Sequence, residues 1–334
     1  VADVRRRLLT VAAGAAVVAP FAIGLASGAE PDEGEVLFSF ADPEIVESSG
    51  LVAAGDRVWT VNDSGDIGRV FSVDAATGET VGVTYWADGP EDVEALAPDG
   101  PGHVWVADIG DNTASRDSVQ VTRVPVGDGD RTVDEETIDL VYPDGPRDAE
   151  ALLVHPRTGR VHVVTKRVLA GEVWAAPPET ADDAPNRLGL VGQVVGLVTD
   201  GAFFPDGRHV VLRTYARAVV YTFPELEVVG SWDLPAQQQG EGIAVTPDGE
   251  VLVSSEGTDA PVLSVAVPPR IERAMAAPTP TPSAAPVPTT ADAPADGTVQ
   301  DAADPPARHA WNWVVGGVVG LLALGVLWRS LRPH

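Results

Sequence analysis

A short motif recurs five times along this chain: an acidic or hydroxyl residue, then a small residue and an apolar one, then a tight turn and a second apolar run. The copies begin at Ser49-Gly50-Leu51, Glu94-Ala95-Leu96, Glu150-Ala151-Leu152, Asp200-Gly201-Ala202 and Glu241-Gly242-Ile243. They follow one another at steps of roughly 40 to 56 residues, without helical patterning between them, which is the period of a β-propeller with one four-stranded blade per repeat. The expected fold is therefore all-β. Residues scattered over much of the chain would converge on one mouth of a central channel.

The order of events within each copy supports this. The first turn is Pro98-Asp99-Gly100, Pro156-Arg157-Thr158-Gly159, Pro205-Asp206-Gly207 or Pro247-Asp248-Gly249, with Ala54-Gly55-Asp56 in the first copy. Proline presets the first turn angle and glycine takes the left-handed one. Val-rich second strands are expected at 58–61, 104–107, 161–165, 210–213 and 251–254, and third strands at 70–73, 119–124, 172–175, 219–223 and 262–267. Outer strands are expected at 81–86, 137–141, 188–194 and 228–234. The fifth copy lacks one, because Pro268-Pro269 stops it, while residues 36–40 precede the first copy without a blade. That N-terminal segment is expected to supply the missing strand and close the ring, removing exposed sheet edges. Five blades follow; the long interval between Glu94 and Glu150 leaves six as the alternative.

The ends read differently. Arg5-Arg6-Arg7 precede an Ala- and Gly-rich apolar stretch over 8–25, and Ser27-Gly28-Ala29 offer small residues for cleavage. Residues 1–29 are expected to be a signal peptide, of Sec or twin-arginine type. Residues 30–270 would be the propeller ectodomain, and the Pro-, Ala- and Thr-rich 271–309 a disordered stalk. The apolar run bordered by Trp311 and Trp328 would cover roughly 27 Å as a helix, about one bilayer core. A transmembrane helix is expected at 310–328, with a cytoplasmic tail over 329–334 that carries Arg329 and Arg332. The partners expected on this reading are the membrane, through that helix, and an envelope protein or small-molecule ligand.

The chain has no cysteine and a net charge of −27, which excludes thiol chemistry and disfavours nucleic acid as a partner. Lys166 is its only lysine, a bias that fits a GC-rich, actinobacterial genome.

In an antiparallel blade the start of the first strand and the end of the second share a face. Glu94, Glu150, Asp200 and Glu241 would ring the channel mouth, with Glu47, Asp92 and Asp148 beside them. Oxygen ligands of this kind suit a hard divalent cation, and calcium is the expected cofactor. The alternative role for the repeated acids is to bond backbone amides between blades. Loops after the second strands add the ligand-binding candidates Asn62, Asp63, Asp108, Asp111, Asn112, Lys166, Arg167, Arg213, Arg217 and Glu256. Asn62-Asp63-Ser64-Gly65-Asp66 and Asp108-Ile109-Gly110-Asp111-Asn112 have the oxygen-rich look of calcium loops, but neither completes an EF-hand. His103, His155, His162 and His209 fall at the opposite face, so no histidine base is expected at the mouth.

Asn62-Asp63-Ser64-Gly65, Asp92-Val93-Glu94-Ala95-Leu96, Asp108-Ile109-Gly110-Asp111-Asn112 and Asp148-Ala149-Glu150-Ala151-Leu152 resemble segments of secreted, membrane-anchored actinobacterial β-propellers. More distantly, the repeats are similar to the phytase-like esterase and gluconolactonase-like propeller groups. That likeness implies calcium and ester or phosphoester hydrolysis in some members, although five copies depart from their usual six blades. Two functions stand: a membrane-tethered binding module of the cell envelope, and a calcium-dependent hydrolase of an ester, lactone or phosphoester.

Overall fold

The computed structural model of the chain describes residues 34–277, apart from 64, 87, 88, 135 and 182. Five sheets form within them. Blade 1 holds β2 (Ser48–Ala54), β3 (Arg57–Asn62), β4 (Arg69–Asp74) and β5 (Thr80–Trp86). Blade 2 holds β6 (Val93–Pro98), β7 (His103–Asp108), β8 (Val119–Pro125) and β10 (Glu136–Val141). Blade 3 runs through β11 (Ala149–Val154), β12 (Val161–Thr165), β13 (Ala170–Ala175) and β15 (Gly189–Val195). In blade 4 the strands are β16 (Val198–Phe203), β17 (His209–Thr214), β18 (Arg217–Thr222) and β19 (Val228–Asp233). Blade 5 combines β20 (Gly240–Val245), β21 (Val251–Ser255) and β22 (Pro261–Val265) with β1 (Glu35–Ser39) from the start of the chain.

The ring thus closes as the sequence predicts, through β1 paired antiparallel with β22. Six blades do not form. The long interval instead contains β9 (Arg131–Val133), which pairs in parallel with the outer edge of β5. A second short strand, β14 (Asn186–Arg187), covers β10 in the same way. Neither carries an apolar alternation, so the sequence pattern does not reveal them.

The inner strands β2, β6, β11, β16 and β20 touch in a closed ring. Alternate side chains of one inner strand enter the cores on its two sides. Ala95 and Ala97 join the apolar cluster shared with blade 3, and Leu96 joins that shared with blade 1. Each hairpin turn below them uses glycine in the left-handed region, as at Gly207 (φ 63) and Gly249 (φ 89).

Every inner strand breaks register with its neighbour once, between Ser48 and Gly50, Val93 and Ala95, Ala149 and Ala151, Val198 and Asp200, and Gly240 and Ile243. Such a bulge leaves one residue unpaired and re-aims it. The re-aimed residues are Ser49, Glu94, Glu150, Thr199 and Glu241. Pairing therefore aligns Thr199, rather than Asp200, with Glu94 and Glu150, so the fourth copy is offset by one residue from its sequence alignment. In blades 1 and 5 the residue that follows the bulge is a glycine held in close quarters. A Cβ at Gly50 would collide with the backbone of Ala95 and Leu96 of blade 2, and one at Gly242 with Ser254 Oγ of its own blade and, more loosely, with Leu51 Cβ of blade 1. Bonds across the same seams reinforce the approach. Ser49 Oγ donates to the Glu94 carbonyl (2.9 Å), and Thr199 Oγ1 to the carbonyls of Gly240 and Glu241 (3.2 Å each).

After blade 5 the chain forms α1 (Pro269–Ala276), whose Ile271 is buried against Gly230 of β19. The ectodomain boundary expected at 270 therefore falls inside a helix that packs on the propeller. All five blades, the closing strand and α1 lie within 34–277. The expected signal peptide, nearly all of the expected stalk, the expected membrane span and the expected tail lie outside the described residues. Among the described residues no helix is long and apolar enough to cross a membrane.

Replacing Gly50 by Ala should cost about 1–3 kcal/mol, because the new methyl group meets backbone that cannot move without shifting a blade. Urea unfolding of the 30–277 fragment checks this; an unchanged midpoint would show that the seam has room to spare.

Candidate functional site at the acidic mouth

The bulges aim Glu94, Glu150 and Glu241 into one end of the channel, where Ser49 and Thr199 complete the inner ring. Around them stand the residues just before each inner strand and just after each second strand. These are Glu47 and Asp63 on blade 1, Asp92 on blade 2, Asp148 and Lys166 on blade 3, Tyr215 on blade 4, and Gln239 and Glu256 on blade 5. Main-chain bonds tie the two sets together: Asp63 N–H donates to the Glu47 carbonyl, Lys166 N–H to that of Asp148, and Glu256 N–H to that of Gln239.

The carboxylates are crowded. Asp63, Asp92 and Glu94 can each place an oxygen within 4.8 Å of the others, and so can Glu94, Asp148 and Glu150. Glu94 belongs to both groups and is 4% exposed. Burial, then the adjacent Glu150 and Asp63, pushes its carboxyl far above the usual range. Asp92 is pushed up to about 6 by burial and by Asp63 and Asp148. Glu150 rises to about 7 from burial, opposed by Lys166, whose Nζ lies 2.8 Å from Glu150 Oε1. That ammonium also sits 5.4 Å from the centre of the Tyr215 ring. Glu241 rises to about 7 from burial and the nearby Glu150. Its Oε2 is buried and has no hydrogen-bond partner among the described residues. Glu256 is raised by burial and by Glu47 and Asp63, while its carboxylate accepts a bond from Gln239.

Negative groups thus come from blades 5, 1, 2 and 3, whereas blade 4 presents Thr199, Tyr215 and the partly exposed Leu197. The mouth is one-sided: an acidic arc faces a neutral wall, with a single ammonium at their junction.

Several residues singled out in the sequence sit elsewhere. Asp200 is fully buried, and its carboxylate accepts N–H bonds from Gly201 (2.7 Å) and from Ile243 of the next blade (2.8 Å). Arg213, also fully buried, donates to the carbonyls of Gly242 (2.6 Å) and Ser254 (2.7 Å) and to Gln237 Oε1 (2.7 Å). These two residues join blade 4 to blade 5. Asn62 Oδ1 accepts the N–H groups of Val46 and Glu47, and its Nδ2 donates to Glu44 and Asp66. Asp108 does the equivalent in blade 2, accepting the N–H groups of Glu91 and Asp92 and an ion pair from Arg116 (2.7 Å). Asp111 accepts the N–H groups of Ser115 and Arg116, and its own N–H donates to Asp148. Asp111 thus bonds the backbone of its own turn, whereas Asn62 and Asp108 hold the segment that leads into their blade's inner strand. Asn112 is exposed, Arg167 pairs with Glu172 (3.2 Å), and Arg217 pairs with Asp233 (2.9 Å), all outside the arc.

The described histidines lie towards the turn end. His155 and His162 pack on Phe203 and Phe223, and His209 Nδ1 lies 2.6 Å from Asp206. Tyr215 and Gln239 have no acidic signature, and only the register of the second and inner strands reveals their place at the mouth.

No protein-family model matches the chain, and no curated protein matches it in sequence. Among solved structures it is similar to a 6-phosphogluconolactonase-like protein from Bacteroides uniformis, with 18% identity and a TM-score of 0.37 over 66% of this chain and 68% of that one. A likeness at that level carries no argument about activity.

Burial raises the folded-state pKa of Glu150 and Glu241 from 4.5 to about 7. The folded protein then holds protons that the unfolded chain has released, so stability falls as pH rises through that window and stays lower above it. Thermal unfolding should give a higher Tm at pH 5 than at pH 8 in chelator. Glu241→Gln should stabilise at pH 8 by about 1–3 kcal/mol and add little at pH 5. A Glu241→Gln protein with the parent's pH profile would remove Glu241 from the set of strained acids.

Proposed function

We propose that the protein is an extracytoplasmic β-propeller, tethered to the membrane by the apolar run at 310–328, that binds a ligand or an envelope protein at its acidic mouth. The observation that carries this reading is the convergence of Asp63, Asp92, Glu94, Asp148 and Glu150 on one mouth, beside a buried Glu241 oxygen with no hydrogen-bond donor. Carboxylates held this close in a half-buried setting are expensive to ionise. A cation relieves that cost, and calcium, which accepts six to eight oxygens in flexible geometry, fits the donor set. Asp63, Asp92 and Glu94, or Glu94, Asp148 and Glu150, would hold it. The Lys166 ammonium beside Glu150 would meet an anionic group on the ligand, and the Tyr215 ring its apolar part.

The second reading is hydrolysis of an ester, lactone or phosphoester. It is favoured by one feature: Glu150, poised near neutrality at about 7, lies next to a Glu94 held far above the usual range. Such a pair keeps one carboxyl protonated and leaves the other able to accept a proton from water. Bound calcium would supply charge stabilisation.

Calorimetric titration of calcium into the chelator-stripped 30–277 fragment tests both readings. Stoichiometric uptake with a raised Tm is expected, as is its loss in the Glu94→Gln, Glu150→Gln double variant with circular dichroism unchanged. Absence of heat at millimolar calcium would remove the cation seat and the hydrolase reading with it. For the tether, deleting 310–334 should move the protein from the membrane fraction to the soluble one. A full-length chain found only in the soluble fraction would end the tethered reading.

A further inference from the structure

The neutral wall of the mouth continues outward into an exposed apolar tip. The hairpin between β12 and β13, residues 166–169, stands at the mouth end of blade 3. Hairpin tips ordinarily carry Gly, Asn, Asp or Ser. This one carries Val168 and Leu169, which are 76% and 94% exposed. It is fixed against blade 4. Leu197 N–H donates to the Arg167 carbonyl (2.8 Å), and a Cβ at Gly196 would meet the carbonyls of Arg167 and Val168. Leu197 holds its place in the left-handed region (φ 57), where a leucine is strained, and its side chain is open to solvent. Tyr215 is also open, with the Lys166 ammonium 5.4 Å from its ring. Val168, Leu169, Leu197 and Tyr215 thus lead from the hairpin tip to the edge of the channel.

On the far side of blade 4 the wall meets the acids of blade 5. Glu241 is only 5% exposed, is aimed into the channel by its bulge, and has an Oε2 without a hydrogen-bond partner among the described residues. The cations that act on it, Lys166 and Arg213, are engaged elsewhere. Lys166 pairs with Glu150, and Arg213 donates to Gly242, Ser254 and Gln237. Beside Glu241, Glu256 faces Glu47 across an isolated β-bridge, which opposes like charges. Neither Glu241 nor Glu256 belongs to the carboxylate groups close enough to share a metal ion. What this side of the mouth lacks is an N–H donor that carries positive charge. An alkylammonium or a guanidinium offers several such donors on a long stem.

We propose that blades 3, 4 and 5 together dock a protein segment that carries a lysine or arginine next to bulky apolar residues. The basic side chain enters the mouth and donates to Glu241, with Glu256 beside it. Its apolar neighbours cover Leu197, Tyr215 and the Val168-Leu169 tip. The proposal rests on the reading of the mouth as a binding site and names the partner. A small molecule held inside the mouth would leave the projecting tip bare, whereas a protein surface removes it from water. The net charge of −27 attracts a basic partner and repels a second copy of this chain.

The probe is a phage-displayed library of random dodecapeptides, selected on the purified full-length protein at about 0.15 M salt, where diffuse attraction is largely screened. Enriched sequences should share a Lys or Arg flanked by Leu, Ile, Phe or Trp. A synthetic copy of the leading sequence, titrated calorimetrically, should bind about tenfold or more weakly to Glu241→Gln and to Leu169→Ser. Leu169 is exposed and Glu241→Gln removes a strained charge, so both variants should fold, and an unchanged circular dichroism spectrum qualifies each. No enrichment, enrichment without a basic residue, or equal affinity for the parent and both folded variants overturns the proposal. A loss on one variant alone overturns the two-part segment. The calcium titration reads Glu94 and Glu150 instead. A mouth that takes up calcium and enriches no peptide therefore keeps the binding reading and loses this partner, whereas peptide binding without calcium uptake removes only the cation seat.

Discussion

The close approach of the five inner strands is the constraint on which the rest of this molecule depends. Where they converge, there is no room for a Cβ at Gly50 or Gly242, and each strand relieves the crowding by carrying one extra residue just before that point. The bulge serves fold and site together. It twists the inner strand so that neighbouring blades can bond, as Ser49 does to the Glu94 carbonyl, and it turns the extra side chain into the channel. The acidic mouth is a by-product of the packing solution: whatever residue occupies the bulge is delivered to the same place. Four blades deliver a carboxylate there or beside it. The fourth delivers Thr199 and uses its acid, Asp200, as an inter-blade staple.

Much of the architecture was legible in the chain because its signals are local. Pro-Asp-Gly turns fix hairpins, Val-rich runs fix second and third strands, and the missing outer strand of the last repeat matches the spare strand at the start. What escaped was of two kinds. Strands β9 and β14 are short and polar, and they pair in parallel across the outer edges of two blades, so no periodicity announces them. The placing of Asp200 failed by a single residue. A motif alignment cannot see a bulge, and a shift of one residue in a strand sends a side chain in another direction. Half of the candidate site was legible for the same reason. Glu94, Glu150, Glu241, Asp63, Lys166 and Glu256 come together as expected. Asn62, Asp108 and Asp111 looked like ligands because the same oxygen-bearing side chains also bond backbone amides, those of the segment leading into the inner strand for Asn62 and Asp108 and those of its own turn for Asp111.

The two ends of the channel differ as sharply as two ends can in so short a strand. One residue sequence, acid–small–apolar, places a carboxylate at the mouth and a leucine in the core between blades. Charge is concentrated where the strands begin, and carbon where they end. Each end of the channel is built from all or most of the blades, so neither survives the loss of a single repeat.

Closure by β1 ties together the first and last parts of the described chain. Glu35 meets Ser264 and Ser39 meets Pro261, so the earliest strand to be synthesised finds its partner only when nearly the whole propeller exists. Until then blade 5 has no outer strand, and Phe38 and Phe40 lack the part of their core that Ala244, Leu252 and Val262 supply. Ring closure therefore acts as a check on length. A chain cut short before β22 cannot close the ring and is left with an unpaired β1 that marks it as incomplete, whereas one that reaches residue 265 seals its own seam.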